Sequence, residues 1–110
     1  MRNMNILLSP HAESLLENIV LGIAEALSVE DGLRWEDKLR QTSMVLGEFP
    51  NIGTSIPPEC FDTPPKNADN LRQIFSGSYR IVYETIENEI HILSFRHSRM
   101  LVTENDTVWQ

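Results

Sequence analysis

Cysteine is nearly absent: Cys60 is the single one in 110 residues. That excludes an intrachain disulfide and leaves no second cysteine for a metal site, so Cys60, isolated in a Pro-rich stretch, is expected to be an inert thiol. Lysine is almost as scarce, with Lys38 and Lys66 alone. No apolar run approaches the ~20 residues that a membrane-spanning helix needs. The opening Met1-Arg2-Asn3-Met4-Asn5 leads straight into Ile6-Leu7-Leu8, too short a run for a signal-peptide core, so a cytoplasmic protein with no membrane contact is expected. No His/Cys/Asp cluster has metal spacing, and neither a Gly-rich phosphate loop nor a nucleophile elbow is present, so no cofactor is expected. Cations are outnumbered, nine Lys and Arg against sixteen Asp and Glu, for a formal net charge of −7. Such a chain lacks general affinity for nucleic acid, which begins with cations on phosphates.

What is present is ordinary globular material. The apolar fraction is 41%, and the length suits one core, which predicts a single domain over residues 1–110. The acidic excess is uneven: residues 1–50 carry eight acidic and four basic side chains, residues 71–110 five and four. A local basic patch in the second half is therefore compatible with the net charge.

Met4–Leu8 reads as a short apolar strand. Ser9-Pro10 follows as an N-cap with Pro at the first helical position. Ala12, Leu15, Leu16, Ile19, Ile23, Ala26 and Leu27 then recur at three- and four-residue spacing and predict one apolar helical face. Ser28, with Asp31 three residues on, reads as the next N-cap. The second helix runs to about Glu48, with Trp35, Leu39, Thr42, Leu46 and Phe49 as its buried stripe and Glu36, Lys38 and Arg40 on its solvated face. So short a connection predicts an antiparallel helical hairpin. Residues 51–70 hold Pro57, Pro58, Pro64, Pro65 and Gly53 with no period and read as a long loop, a kind that is usually functional or mobile.

Leu71–Phe75, Tyr79–Thr85 and Ile90–Phe95 then scan as three strands joined by tight turns at Ser76-Gly77-Ser78 and Glu87-Asn88-Glu89, a meander signal. The order is β-α-α-β-β-β, an α/β (α+β) fold with the hairpin packed on one face of a mainly antiparallel four-stranded sheet. The opposite face, or its rim, is left for a ligand or partner. The tail, residues 100–110, reads as an edge strand, a capping segment or a frayed end. The cations stand out on this frame: Arg72 and Arg80 lie inside strands, and Arg96, His97 and Arg99 lie where the last strand runs out. A charge inside a strand costs free energy unless it meets water, a partner or an anion.

These residues carry a resemblance. Leu7-Ser9-Pro10-Ala12 opening the first helix, Leu46, Pro50 and Gly53 closing the second, Leu71-Arg72, and above all Tyr79-Arg80-Ile81-Val82-Tyr83 followed by His97-x-Arg99 are similar to the RelE/ParE toxin superfamily of bacterial toxin–antitoxin modules, the plasmid stabilisation proteins. The resemblance spans roughly residues 5–100. It implies a compact toxin neutralised in the cytoplasm by a cognate antitoxin, as a homo-dimer or a hetero-oligomer with that antitoxin. RelE-like members resemble ribonucleases acting on mRNA at the ribosome; ParE-like members resemble inhibitors of DNA gyrase. RelE-like sites are rich in Lys and Arg, and a −7 chain with two lysines fits poorly against ribosomal RNA. The ParE-like branch is favoured, with a non-toxic antitoxin-binding module as a further alternative. An antitoxin segment lying over the acidic helices is expected to carry Lys or Arg.

On the binding reading, Arg72, Tyr79, Arg80, Arg96, His97 and Arg99 form the contact surface. On the nuclease reading, attack by a 2′-hydroxyl needs a base, an acid and a cation. His97 is then the metal-independent acid–base residue, Arg72 and Arg80 hold the scissile phosphate, and Glu59 or Glu84 is the second acid–base group. Structural alternatives stand beside each: His97 as a strand-end cap for backbone carbonyls, and Arg80 and Arg72 in ion pairs with residues such as Glu84 or Glu89. Tyr79, Ile81 and Tyr83 are expected in the core, Trp35 in the core or a helix interface, and His91 packed on the face of Leu93 and Phe95. His11 is expected to be solvated, and Trp109 has no assigned role.

Overall fold

The computed structural model describes residues 3–110; Met1 and Arg2, the start of the N-terminal segment read above, lie outside the described residues. The elements are β1 (Asn5–Leu8), α1 (Pro10–Ala26), α2 (Val29–Glu48), β2 (Thr54–Ser55), β3 (Leu71–Ser76), β4 (Tyr79–Ile86) and β5 (Glu89–His97), with short 3₁₀ turns at Pro58–Cys60, Ala68–Asn70 and Glu104–Asp106.

Both helices start where their caps require. Ser9 Oγ accepts from Ala12 N at 3.0 Å, with Pro10 at the first helical position. Ser28 Oγ accepts from Asp31 N at 3.0 Å and donates to the Asp31 carboxylate at 2.8 Å. These contacts satisfy N–H groups that have no intrahelical partner. Only Leu27 and Ser28 separate α1 from α2, so the helices return antiparallel.

The sheet has five strands in the order β1-β5-β4-β3-β2, one more than expected. β1 runs parallel to β5, and the other pairs are antiparallel. The added strand comes from the 51–70 segment, where Thr54 and Ser55 pair with Gln73 and Arg72; two residues show no period that a sequence could reveal. The fold class is the expected one: a helical hairpin on one face of a mainly antiparallel sheet.

Ala12, Leu16, Leu39, Leu46, Ile81, Tyr83, Ile90, Ile92 and Phe95 form the core between hairpin and sheet. Leu27 and Phe49, expected on apolar stripes, are instead exposed. Both sit just past the last residue of a helix, where the 3.6-residue period no longer sets direction.

The opposite sheet face is not open. Ile56, Phe61, Leu71, Val82, Leu93 and Val102 make a second buried cluster there, drawn from the 51–70 segment, the sheet and the tail. Asp62 N donates to Val102 O (2.9 Å) and Val102 N to Cys60 O (2.8 Å), so the tail is strapped to the Pro-rich segment. Of the three readings of the tail, it is a capping segment.

A bulge sorts the cations between the two faces. Val82 pairs with Ser94 but Tyr83 pairs with Ile92, so Leu93 is the extra residue. Strict alternation places His91, Leu93 and Phe95 together; the bulge keeps Leu93 in the second cluster and returns Phe95 to the helix-side core. Arg96 then faces away from the helices, and His97 toward them.

Candidate functional site

The end of the sheet where β4 begins and β5 runs out gathers Tyr79, His97 and Arg99, with Arg96 behind them. Tyr79 is directly opposite His97, and their rings meet edge-on with centroids 5.7 Å apart. Trp35 of α2 meets the other side of Tyr79 at 5.3 Å, and Lys38 Nζ lies 4.6 Å from the Trp35 ring centre. The result is a half-buried ladder of Lys38, Trp35, Tyr79 and His97. Gly77 makes the β3–β4 turn at φ 58°, with the Trp35 ring where a side chain would stand. Beyond β5 the chain turns back through Ser98 N to Ser78 O (2.7 Å) and Met100 N to His97 O (2.9 Å). The Arg99 backbone N–H donates to His97 Nδ1 at 3.1 Å, so the neutral ring carries its proton on Nε2. His97 thus accepts from the backbone and does not cap a carbonyl. A notch of about 240 Å³ beside it is lined by Leu15, Asn18, Ile19, Phe95 and Met100.

Arg80 and Arg96 lie on the other face and are direct cross-strand neighbours. Arg96 Nε is paired with Asp106, which is fully buried in the tail. Asp106 also takes His11 Nε2 at 2.8 Å, Thr103 N at 2.9 Å and Thr103 Oγ1 at 3.1 Å. Burial pushes this carboxyl up, but the hydrogen bonds from Arg96, Thr103 and His11 outweigh it and hold the group below the usual carboxylate range. Among the described residues Arg80 forms no carboxylate pair. Its Nε donates to Gln73 Oε1 (2.8 Å) and Nη1 to Met100 O (3.1 Å), Nη2 lies 3.6 Å from Cys60 Sγ, and the guanidinium sits 5.4 Å from the Phe75 ring centre. The ion pairs expected with Glu84 or Glu89 are therefore replaced by neutral acceptors.

Arg72 is on the helix side, opposite Tyr83. Its Nη1 donates to Gly53 O at 2.6 Å. The buried Tyr83 hydroxyl accepts from Gly53 N (3.0 Å) and donates to Pro50 O (2.9 Å). Burial raises its pKa, against the opposing effects of the Gly53 hydrogen bond and the Arg72 charge. A side chain at Gly53 would collide with that hydroxyl, so this residue is glycine because the phenol fills its space. Arg72 and Arg80 thus point to opposite faces, and the Arg72–Tyr83 pair lies four β4 residues, about 13 Å, from the Tyr79–His97 pair. The structure does not bring His97, Arg72 and Arg80 around one phosphate.

The second acid–base candidates are no nearer. Glu84 pairs in register with His91, and burial raises its pKa against the His91 charge. It lies five β4 residues, about 16 Å, from Tyr79. Glu59 is exposed in the Pro58–Cys60 turn. His91 packs as expected, its ring 4.8 Å from Trp109 and its Nε2 3.0 Å from Glu89. His11, expected to be solvated, is held by Asp106. Arg99 is exposed and makes no ion pair among the described residues.

Sequence reasoning missed Asp106, Trp35 and Lys38. Thr103-x-x-Asp106 has the spacing of a capping box, and the structure forms one, so that signal was available. The ladder had none, because it joins α2 to β4. Among the described residues no three His, Cys, Asp or Glu side chains converge on a metal position, and no helix is long and apolar enough to cross a membrane.

A family model described as the ParE toxin of the type II toxin–antitoxin system parDE matches residues 6–102. A chain in a solved structure, titled the chromosomal ParDE TA system from P. aeruginosa, superposes with a TM-score of 0.69 at 17% identity, covering 86% of this chain and 95% of that chain. At that identity the likeness is one of fold. No curated protein sequence matches the chain.

Proposed function

We infer that this chain, which belongs to the ParE toxin family of type II toxin–antitoxin systems, acts in the cytoplasm by binding a protein target such as DNA gyrase and is neutralised by a cognate antitoxin. The observation that carries this reading is the use made of the arginines. Arg96 is committed to buried Asp106, Arg80 to Gln73 and Met100 O, and Arg72 to Gly53 O on the other face. A ribonuclease needs a free cation beside its acid–base group to hold the phosphorane; of the two arginines close to His97 in sequence, Arg96 is taken by Asp106 and Arg99 is exposed at the chain turn. The RelE-like alternative, with ribosome and mRNA as partners, is correspondingly weaker.

The same end of the sheet suits protein contact. Tyr79, Trp35, His97, Lys38 and Arg99 combine aromatic bodies with charged tips, the composition of interface hot spots. This half-buried ladder, with Lys38 at its exposed end, also weighs against a non-toxic module, which needs a surface for its antitoxin alone.

The antitoxin has a separate seat. A cleft of about 390 Å³ between α2 and β3 is lined by Val45, Ile52, Ile74 and Phe75 with Thr42, Thr54 and Gln73, and no charged side chain. Val45 and Ile52 are exposed there, with Met44 and Phe49 close in sequence and exposed too. Exposed apolar patches of this kind mark interaction sites, and we assign this one to the apolar residues of the antitoxin.

The purified protein should inhibit gyrase supercoiling, with Arg99→Glu, a fully surface change, weakening inhibition about tenfold or more. Equal inhibition by Arg99→Glu would remove the ladder from the contact. Absence of any inhibition would exclude gyrase as the target.

A further inference from the structure

The notch beside His97 is a cavity on the scale of one side chain. Phe95, buried, is its floor. Half-buried Leu15 and Ile19 of α1 wall it on one side, Tyr79 and His97 on the other, and exposed Asn18 and Met100 stand at its mouth. Its volume is about 240 Å³. An apolar cavity of about 150 Å³ takes up benzene, so the notch has room for an aromatic ring.

Its lining narrows the choice of occupant. The rings of Phe95, Tyr79 and His97 and the Met100 thioether are surfaces that an aromatic ring prefers. His97 Nδ1 is taken by the Arg99 backbone N–H, which leaves Nε2–H as a donor. No carboxylate lines the notch among the described residues. Lys38 lies over Trp35 at one end of the ladder, and Arg99 follows His97 at the other. Both are exposed, and neither has an ion-pair partner among the described residues. On a chain of net charge −7, this end is a local cationic rim around an apolar hole.

We propose that the notch between α1 and β5 is an anchor pocket for one aromatic side chain of the target protein, flanked in that protein by Asp or Glu that meet Lys38, Arg99 and His97 Nε2–H. This rests on the target-binding reading above and adds the chemistry of the segment that is bound. Charge complementarity selects an acidic flank. A nucleic acid would offer bases to the same rings, but its phosphates would meet two cations on an otherwise acidic molecule.

The test is a titration of the ¹⁵N-labelled full-length protein with a capped acidic pentapeptide, Phe at its centre and Asp and Glu on both sides. Amide shifts should concentrate at Leu15, Asn18, Ile19, His97 and Met100. Replacing the central Phe by Ala, or the acidic flanks by Lys, should weaken binding about tenfold or more. Asn18→Trp, an exposed change that closes the mouth, should abolish the shifts, while Glu59→Trp, on the other face, should leave them unchanged. No shifts, shifts centred elsewhere, equal binding of either analogue, or indifference to Asn18→Trp would each overturn the proposal. So would tighter binding of a short single-stranded RNA at the same residues, or the same shifts on concentrating the protein alone, which would put the Glu48-Phe49 segment of a second copy in the notch. Growth arrest on induction of the wild type tests the toxin reading separately. Peptide binding in the notch without arrest would sink that reading alone, and arrest by a wild type that binds no peptide would sink the pocket alone.

Discussion

Arg80 and Arg96 stand side by side across β4 and β5, an arrangement that is destabilising unless the charges are neutralised. Asp106 answers for Arg96, and Gln73 and Met100 O take up Arg80. Removing one partner of a buried pair typically costs about 3–5 kcal/mol, because the other charge is left uncompensated. Asp106→Ala should therefore lower unfolding stability by about 3 kcal/mol in denaturant titration. The pH dependence follows from its depressed pKa. A carboxyl whose folded pKa lies below its unfolded value of about 3.9 contributes stability that is fully present above that value and lost as pH falls through the folded one. The wild-type protein should lose stability below about pH 4, and Asp106→Asn should flatten that acid limb. Tyr83→Phe leaves Gly53 N and Pro50 O without a partner and should cost about 1–3 kcal/mol. Wild-type stability in that variant would mean that the phenol fills space and nothing more.

The tail and the β5 bulge decide what each face can do. Deleting Val102–Gln110 removes Val102 from the second cluster and Asp106 from Arg96 together. The melting temperature should fall further than in Asp106→Ala, with faster hydrogen exchange in β4 and β5 around Val82 and Leu93. Both helices, their Ser caps and the meander were legible because each repeats a local period or carries a cap. β2, the bulge and the strap were not. Two residues make no period, a bulge shows only as a broken pairing register, and the strap depends on Val102 and Asp106 meeting residues distant in sequence. The candidate site was legible in part. Tyr79, His97 and Arg99 do gather at one end, but Leu93 sends Arg96 to the far face, and alternation sends Arg80 there and Arg72 to the near one. Trp35 and Lys38 join the site only through packing of α2 on the sheet.

The charge distribution assigns different work to different surfaces: acidic on the outer hairpin, uncharged in the α2–β3 cleft, aromatic and cationic at the sheet end. A ribosomal nuclease needs a concentrated positive surface facing RNA, and here the strand arginines are consumed internally. The central claim is that toxicity comes from binding through the Tyr79–His97 end and not from cutting RNA. Mapping the 5′ ends of mRNA by primer extension, in cells induced to make the wild-type or the His97→Ala protein, tests it most directly. The account predicts no new ends with either protein, together with growth arrest by the wild type. Discrete cuts in codon register that disappear with His97→Ala would contradict it and establish a nuclease.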